Sequence, residues 1–567
     1  MQGNEHGARV FDFAWCDSFA AARNEAIRHA NGQWLLWLDA DECFDEANRD
    51  KLRALLADLP DDNTAYVMQQ RSHAANGSAT LVGQVRLFRN HPDIRWDYRV
   101  HEQILPSLKR AGHAIRFTDL AIEHTGYLDP TLRHKKLERN LRLLHLDLAE
   151  RPNDAFTLFN LGWAFADLGR CGDAIPLLQR SLQHSRPADS ITPKLYVLLS
   201  QCHRRLGQYT EAWGACQAGH VRCPEDAELL FLKGQLCHQR GDRATARACW
   251  IQLLPPNPLT PNPSPPSTGE RGVRENLPLT PSSPSTAERG GTLPSPDGVF
   301  TSVDAGLHGP LVRHHLAVLC SEQGQDADAE FHWRAAVAET SFPPARLGLA
   351  ELYLRQARWP ELDALLAEMD REPFAALDTA VLRARAHLAR RDFNAARQLL
   401  EDTIRQAPHV LTPQVILSHV LLQAGDENAA EPLLRRIVEL DPSQGESWRN
   451  LAVLYRRTGR MPQAIAAARA GCVYGPRNAD LLLLHGVLLR EGGDAINAET
   501  CLLRVLEMDS DGPAHQRHAS ARQHLAGLYR DLGRDREAAI HLRALAIKDP
   551  EDVPQGAPAL LPANCSG

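Results

Sequence analysis

Gly207 and Gly241, and further on Gly425, Gly459 and Gly493, follow one another at intervals of 34 residues. A repeat of that length is one supersecondary unit that cannot bury its apolar face alone, so the chain must stack copies of it. Around Gly459 the pattern reads Trp448, Leu451, Ala452 and Tyr455 before the glycine, then Ala464, Ala468, Gly471 and Pro476. Leu525, Ala526, Tyr529, Ala538, Leu542 and Pro550 repeat it around Gly533, and Leu158, Leu161, Gly162, Phe165, Ala174 and Leu178 around Gly169. Large apolar residues at i, i+3 and i+7 make one helix face, small residues admit an antiparallel partner, glycine turns the corner, and proline stops the second helix.

This is the period of the tetratricopeptide (TPR) repeat. About ten units are expected, over 153–260 and 310–550, with degenerate turns near Ala357 and Arg391. They predict an all-α superhelical solenoid with a concave groove able to hold a protein or glycan acceptor. The spacing from Gly241 to Gly324 exceeds one period. The excess, 261–309, is rich in Pro, Ser, Thr and Gly and is expected to be a disordered insert, because it buries too little apolar surface to offset its ordering entropy. The tail 551–567 is expected to be disordered as well.

Lys and Arg number 63 against 70 Asp and Glu, and the net charge of −7 gives no electrostatic reason to expect a nucleic acid or an anionic membrane as partner. The twelve cysteines show no C-x-x-C or Cys/His ligand spacing, which fits free thiols in a cytoplasmic protein better than a zinc module or a disulfide framework. No integral membrane segment and no cleavable signal are expected.

The first 128 residues read differently. Alternation over 8–15 suggests a strand, Ser18 can cap a helix running to about Ala30, and Gln33 to Leu38 looks like a short buried strand, a βαβ rhythm. Further strand-like runs at Thr64–Gln69, Leu81–Arg89, Ile94–Leu105 and Ala114–Glu123 predict an α/β layer. A linker helix, within 129–152, joins it to the first repeat.

Asp39 and Asp41 stand where the Gln33–Leu38 run ends, and strand ends are where open α/β sheets place ligands. Two carboxylates one residue apart can hold a hard divalent cation, which would neutralise a diphosphate leaving group. Read alone, the pair fits better as acidic residues heading the next helix.

The context adds Phe13, Trp15, Asp17, Phe19, Ala20, Ala22, Arg23 and Asn24 before the pair and Glu42 after it. Downstream lie Val85 to Asn90, Arg99 to Gln103, and Ile122 to Tyr127. In order and spacing this resembles bacterial family 2 glycosyltransferases of the GT-A fold, many of them fused to TPR units. The resemblance implies a partial, N-terminally truncated GT-A (Rossmann-like) domain over 1–128, because only about twelve residues precede Phe13. It implies a nucleotide-diphosphate sugar as donor and Mn or Mg as metal. Asp39 and Asp41 would bind metal and diphosphate, with His124 a further ligand or phosphate contact. Arg23 and Asn24 would lie beside the nucleotide, and Glu102 would be the general base, with Asp97 in reserve. Two other readings stay open: a non-catalytic TPR scaffold carrying a vestigial domain, and a metal-dependent hydrolase if Asp39, Asp41, His101 and His124 converge.

Overall fold

The computed structural model describes residues 9–73, 79–124, 130–187, 189–255, 302–340, 342–371, 376–508 and 514–546. The chain divides into two compact units, Met1–Leu352 and Tyr353–Gly567.

The first unit opens with helix α1, Phe19–Arg28, whose N-terminus is closed by Ser18 accepting the Ala21 N–H at 3.1 Å. Strands β1 (Trp34–Leu36) and β2 (Glu42–Cys43) follow, then helix α2 (Glu46–Ala57), β3 (Thr64–His73), β4 (Ala79–Arg89), the short helix α3 (Leu105–Arg110) and β5 (Ala114–His124). They form a mixed sheet in the order β1-β4-β3-β5-β2, in which, among the described residues, the β3/β5 pairing alone is parallel. Alternate residues of β3 face opposite ways. Ala65 and Val67 pack with Ala20, Ile27, Val85, Ile94, Trp96 and Ile104 on one face. Tyr66 and Met68 pack with Leu87, Leu120, Ile122 and the α2 residues Leu52 and Leu55 on the other.

Three expectations are corrected. Residues 9–17 form no strand: Val10, Phe11, Phe13 and Trp15 are exposed and the segment pairs with no strand of the described sheet. The rhythm is therefore not βαβ, and β1 is a half-exposed strand antiparallel to β4 rather than a buried parallel one. Ile94–Leu105 is not a strand either. Ile94, Trp96, Val100 and Ile104 are buried at strand-like spacing, but the backbone turns back on itself. Tyr98 and His101 take φ of 72° and 55°, and Asp97 and Gln103 exchange both backbone hydrogen bonds at 2.9 Å.

Helix α4, Pro130–Glu150, leads into helix α5, Ala155–Asp167, the first helix of the repeats. Ten helix pairs follow in order among the described residues, between Ala155 and Ala546. Their corner glycines at 169, 207, 241, 324, 425, 459, 493 and 533 all have φ between 72° and 85°, which an L residue seldom adopts. Ala357 and Arg391 make the same left-handed corner at φ 54° and 63°, as the degenerate turns require.

The boundary of the insert also differs. Ser302–Asp304 form β6, which pairs antiparallel with Thr80–Val82 of β4, and Ala305–His308 make a 3-10 turn with Leu307 buried. The sheet offers unpaired backbone groups there, and these are satisfied by the returning chain. The rest of the expected insert, and the tail, lie outside the described residues.

Candidate functional site

The stretch after β1 turns sharply: Glu42 N–H donates to Asp39 O at 3.1 Å, and Asp39 N–H donates to the Glu42 carboxylate at 2.9 Å. Glu42 then enters β2, where it pairs opposite His124 of β5. That register brings Asp41 to His124, with the carboxylate 3.2 Å from Nε2. On its other side the ring nitrogen Nδ1 of His124 is 3.5 Å from Ser72 Oγ of β3.

Asp39 faces a different partner. Arg23, from α1, donates Nη2 to both Asp39 oxygens at 2.9 and 3.2 Å and Nε to Glu102 at 2.5 Å. One guanidinium thus joins residues 23, 39 and 102, which sequence alone placed in separate motifs. The carboxyls of Asp39 and Asp41 are 43% and 42% exposed, while Glu102 is 13% and His124 9% exposed. The site is an open acidic lip over the more enclosed Glu102 and His124.

Below the lip, Arg86 of β4 grips Glu42 with both side chains fully buried. The second Glu42 oxygen also accepts Gln70 Nε2 at 2.8 Å, and Arg86 donates to Gln84 Oε1 at 2.7 Å. Trp37 is shared by the two arginines: Arg86 lies 3.8 Å and Arg23 4.2 Å from its ring centre. Its indole donates to Val85 O at 2.7 Å, and its ring meets Trp96 edge-on at 5.0 Å, which also lies under Arg23. Trp37, Trp96 and Arg86 were not singled out in the sequence. Trp37 two residues before Asp39 and Trp96 next to Asp97 were the available signal, but their stacking with Arg86 depends on how distant segments meet.

Asn24 spends its amide on structure, exchanging hydrogen bonds with the backbone of Trp96 at 3.0 and 2.8 Å. Asp97 stands apart from the Arg23 cluster, half-exposed and 3.4 Å from Arg110. Asp17 does not cap α1. It takes a two-pronged contact from Arg142 of α4 at 2.6 and 2.7 Å and the Trp15 indole at 2.9 Å, and these hold its carboxyl down to about 2.

Among the described residues no group of three or more His, Cys, Asp or Glu is gathered to hold an ion. The four-residue hydrolase cage therefore does not assemble; His101 carries a left-handed backbone and contributes a carbonyl to Gln103. Asp39 and Asp41, with His124 beside Asp41, are the side chains that would hold a cation here, and only one that takes few protein ligands and completes its shell with water and phosphate oxygens, as magnesium does.

Residues 1–107 match the family model for glycosyl transferase family 2, and 159–219 and 417–479 match a tetratricopeptide repeat model. A TPR repeat-containing protein of Synechococcus elongatus is 33% identical over 230 residues, covering 39% of this chain and 56% of that one. The SPbeta prophage-derived glycosyltransferase SunS of Bacillus subtilis is 24% identical over 180 residues, covering 30% of this chain and 40% of that one. A crystal structure of MamA protein is 18% identical, with a TM-score of 0.28, covering 33% of this chain and 99% of that one. This chain thus spans roughly half the length of the two curated relatives or less.

The fold and the matched models define an α/β transferase-type domain joined to helical repeats. The chain carries a family 2 glycosyltransferase domain fused to tetratricopeptide repeats.

Proposed function

We propose that the α/β domain transfers a sugar from a nucleotide-diphosphate donor to an acceptor hydroxyl, on the GT-A plan, and that the repeats hold the protein or glycan acceptor. The observation that carries this is the Arg23 guanidinium joined at once to Asp39 and Glu102. A cation site for diphosphate and a base for the acceptor belong side by side in such a reaction, and here one side chain ties their candidates together.

Asp39 and Asp41 would hold Mn or Mg, with His124 beside Asp41. That ion would supply charge neutralisation for the departing diphosphate. Arg23, 22% exposed and shared between two acids, would turn part of its donor set to the diphosphate. Glu102 would accept the proton of the acceptor hydroxyl as that oxygen bonds to the anomeric carbon. The bond from that carbon to the diphosphate breaks, and its electron pair leaves on the phosphate oxygen. Asp97 would be the reserve base, and Asn24 would keep Trp96 in place beneath the nucleotide. No described helix is long and apolar enough to cross a membrane, and the described cysteines are free thiols, which supports a cytoplasmic setting.

The test is release of nucleoside diphosphate from a panel of UDP-, GDP- and TDP-hexoses with Mn, by the full chain and by the double variant Asp39→Asn, Asp41→Asn. Turnover by the parent and its loss in the variant are expected. The scaffold reading instead expects no turnover by either.

A further inference from the structure

We infer that the helices entering the repeats belong to the scaffold of the site, with Asp147 of α4 the positioning residue that holds the Asp97–Gln103 loop and so sets Glu102 against Arg23. The inference rests on the glycosyltransferase reading for what Glu102 does, and on geometry alone for how it is held.

Asp147 is 1% exposed. A carboxylate taken so far out of water needs hydrogen-bonded and charged partners. It finds them in the loop and just past the end of its own helix: Oδ2 accepts the Arg99 N–H at 2.9 Å, and Oδ1 takes Arg151 at 3.1 Å with Arg99 Nε at 3.8 Å. The other side of the same peptide segment is equally occupied. Arg99 O accepts the Phe19 N–H at 2.8 Å, at the first turn of α1, the helix that carries Arg23. The Arg99 side chain reaches Asp17 O at 3.3 Å and Glu150. Asp147 therefore fixes, through one residue, both the loop bearing Glu102 and the start of the helix bearing its arginine partner.

Neighbouring contacts point the same way. Tyr98 Oη donates to Asp154 Oδ2 at 3.2 Å, and the other oxygen of Asp154 caps α5 by accepting Thr157 N–H at 2.8 Å. Val100 is buried with Leu143 and Leu144 of α4 and Leu161 of α5. Between them Tyr98 and His101 hold left-handed backbones that side-chain-bearing residues keep only where the surroundings over-determine them. Every anchor named here on the repeat side lies in α4 or at the start of the first repeat.

The experiment uses the full chain and its Asp147→Asn and Tyr98→Phe variants. Amide hydrogen exchange of peptides covering 95–104 is compared with that of β3 and β5, and nucleoside diphosphate release is measured on the donor the parent turns over best. In Asp147→Asn we expect exchange in 95–104 to rise at least tenfold while β3 and β5 keep their protection. We expect kcat to fall tenfold or more with the donor KM within twofold; a general loss of folded protein would lower kcat in the same way, and the retained protection of β3 and β5 is what excludes it. Tyr98→Phe should loosen the same peptides by about threefold, and it decides the matter alone if Asp147→Asn does not fold. Unchanged protection of 95–104 overturns the inference, and so does a loosened loop with kcat within twofold of the parent. If the parent releases nucleotide from no donor, the glycosyltransferase reading is what falls, and the exchange result still decides whether Asp147 holds the loop.

Discussion

Glu42 and Arg86 lock together in a two-pronged ion pair, Nη1 to Oε2 at 2.5 Å and Nη2 to Oε1 at 2.7 Å, with both side chains closed off from solvent. Glu42 Oε2 also accepts the Asp39 N–H, so the pair sets the turn that presents Asp39 and Asp41. Removing one partner leaves a buried charge alone. Glu42→Ala is expected to cost about 3–5 kcal/mol, read by urea denaturation of the full chain. The double variant Glu42→Leu, Arg86→Met should cost much less, because no unpaired charge remains.

Arg23→Gln separates the site's electrostatics from its fold. Asp39 is widely exposed and tolerates losing its partner, whereas Glu102 loses its cation, as does the diphosphate under the proposed function. Nucleotide release should fall by about 10²–10³, the cost of removing one preorganised charged donor. A melting curve should confirm that the variant remains folded.

Acid probes the clasp between Asp17 and Arg142. The folded-state pKa of Asp17, about 2, lies below the ordinary value near 3.9. The unfolded chain therefore takes up the proton first, and the contribution is complete above about pH 4 and fades as pH falls toward 2. Melting temperatures of the parent and of Asp17→Asn should differ above pH 4 and converge near pH 2. A difference that grows on acidification would show the sign to be wrong.

Two glycines of the repeats fail for different reasons when given a methyl group. A Cβ at Gly234 would sit 2.4 Å from the Trp250 indole nitrogen, and overpacking of that kind costs about 1–3 kcal/mol. At Gly459 there is open space but a φ of +74°, so Gly459→Ala should cost about 1 kcal/mol through the backbone alone. Thermal melting of both variants checks the order.

The repeats were legible because their corner demands a left-handed residue and their helix contacts demand small ones. Those demands recur every 34 residues and survive even where Ala357 and Arg391 replace the glycine. Helices α1 and α4 were legible for local reasons, a serine cap and a long apolar period. The Ile94–Leu105 loop was not, because a chain that doubles back can bury every second residue just as a strand does. Nor was β6, whose pairing with β4 depends on an edge some 220 residues away in sequence. Of the candidate site, the acids and Arg23 were readable from motif spacing. Trp37 and Arg86 were not, since an arginine of β4 stacked on a tryptophan just after β1 leaves no mark on either segment alone.

The central claim is that the acids after β1 grip a cation and, through it, a nucleoside diphosphate. It is tested most directly by melting the full chain with Mn and UDP, GDP or TDP, alongside the double variant Asp39→Asn, Asp41→Asn. A ligand at about a hundred times its Kd adds about 2.7 kcal/mol to the folded state, so at least one nucleotide should raise the parent's Tm by several degrees and leave the variant unmoved. No rise with any of the three, or an equal rise in the variant, would contradict the account.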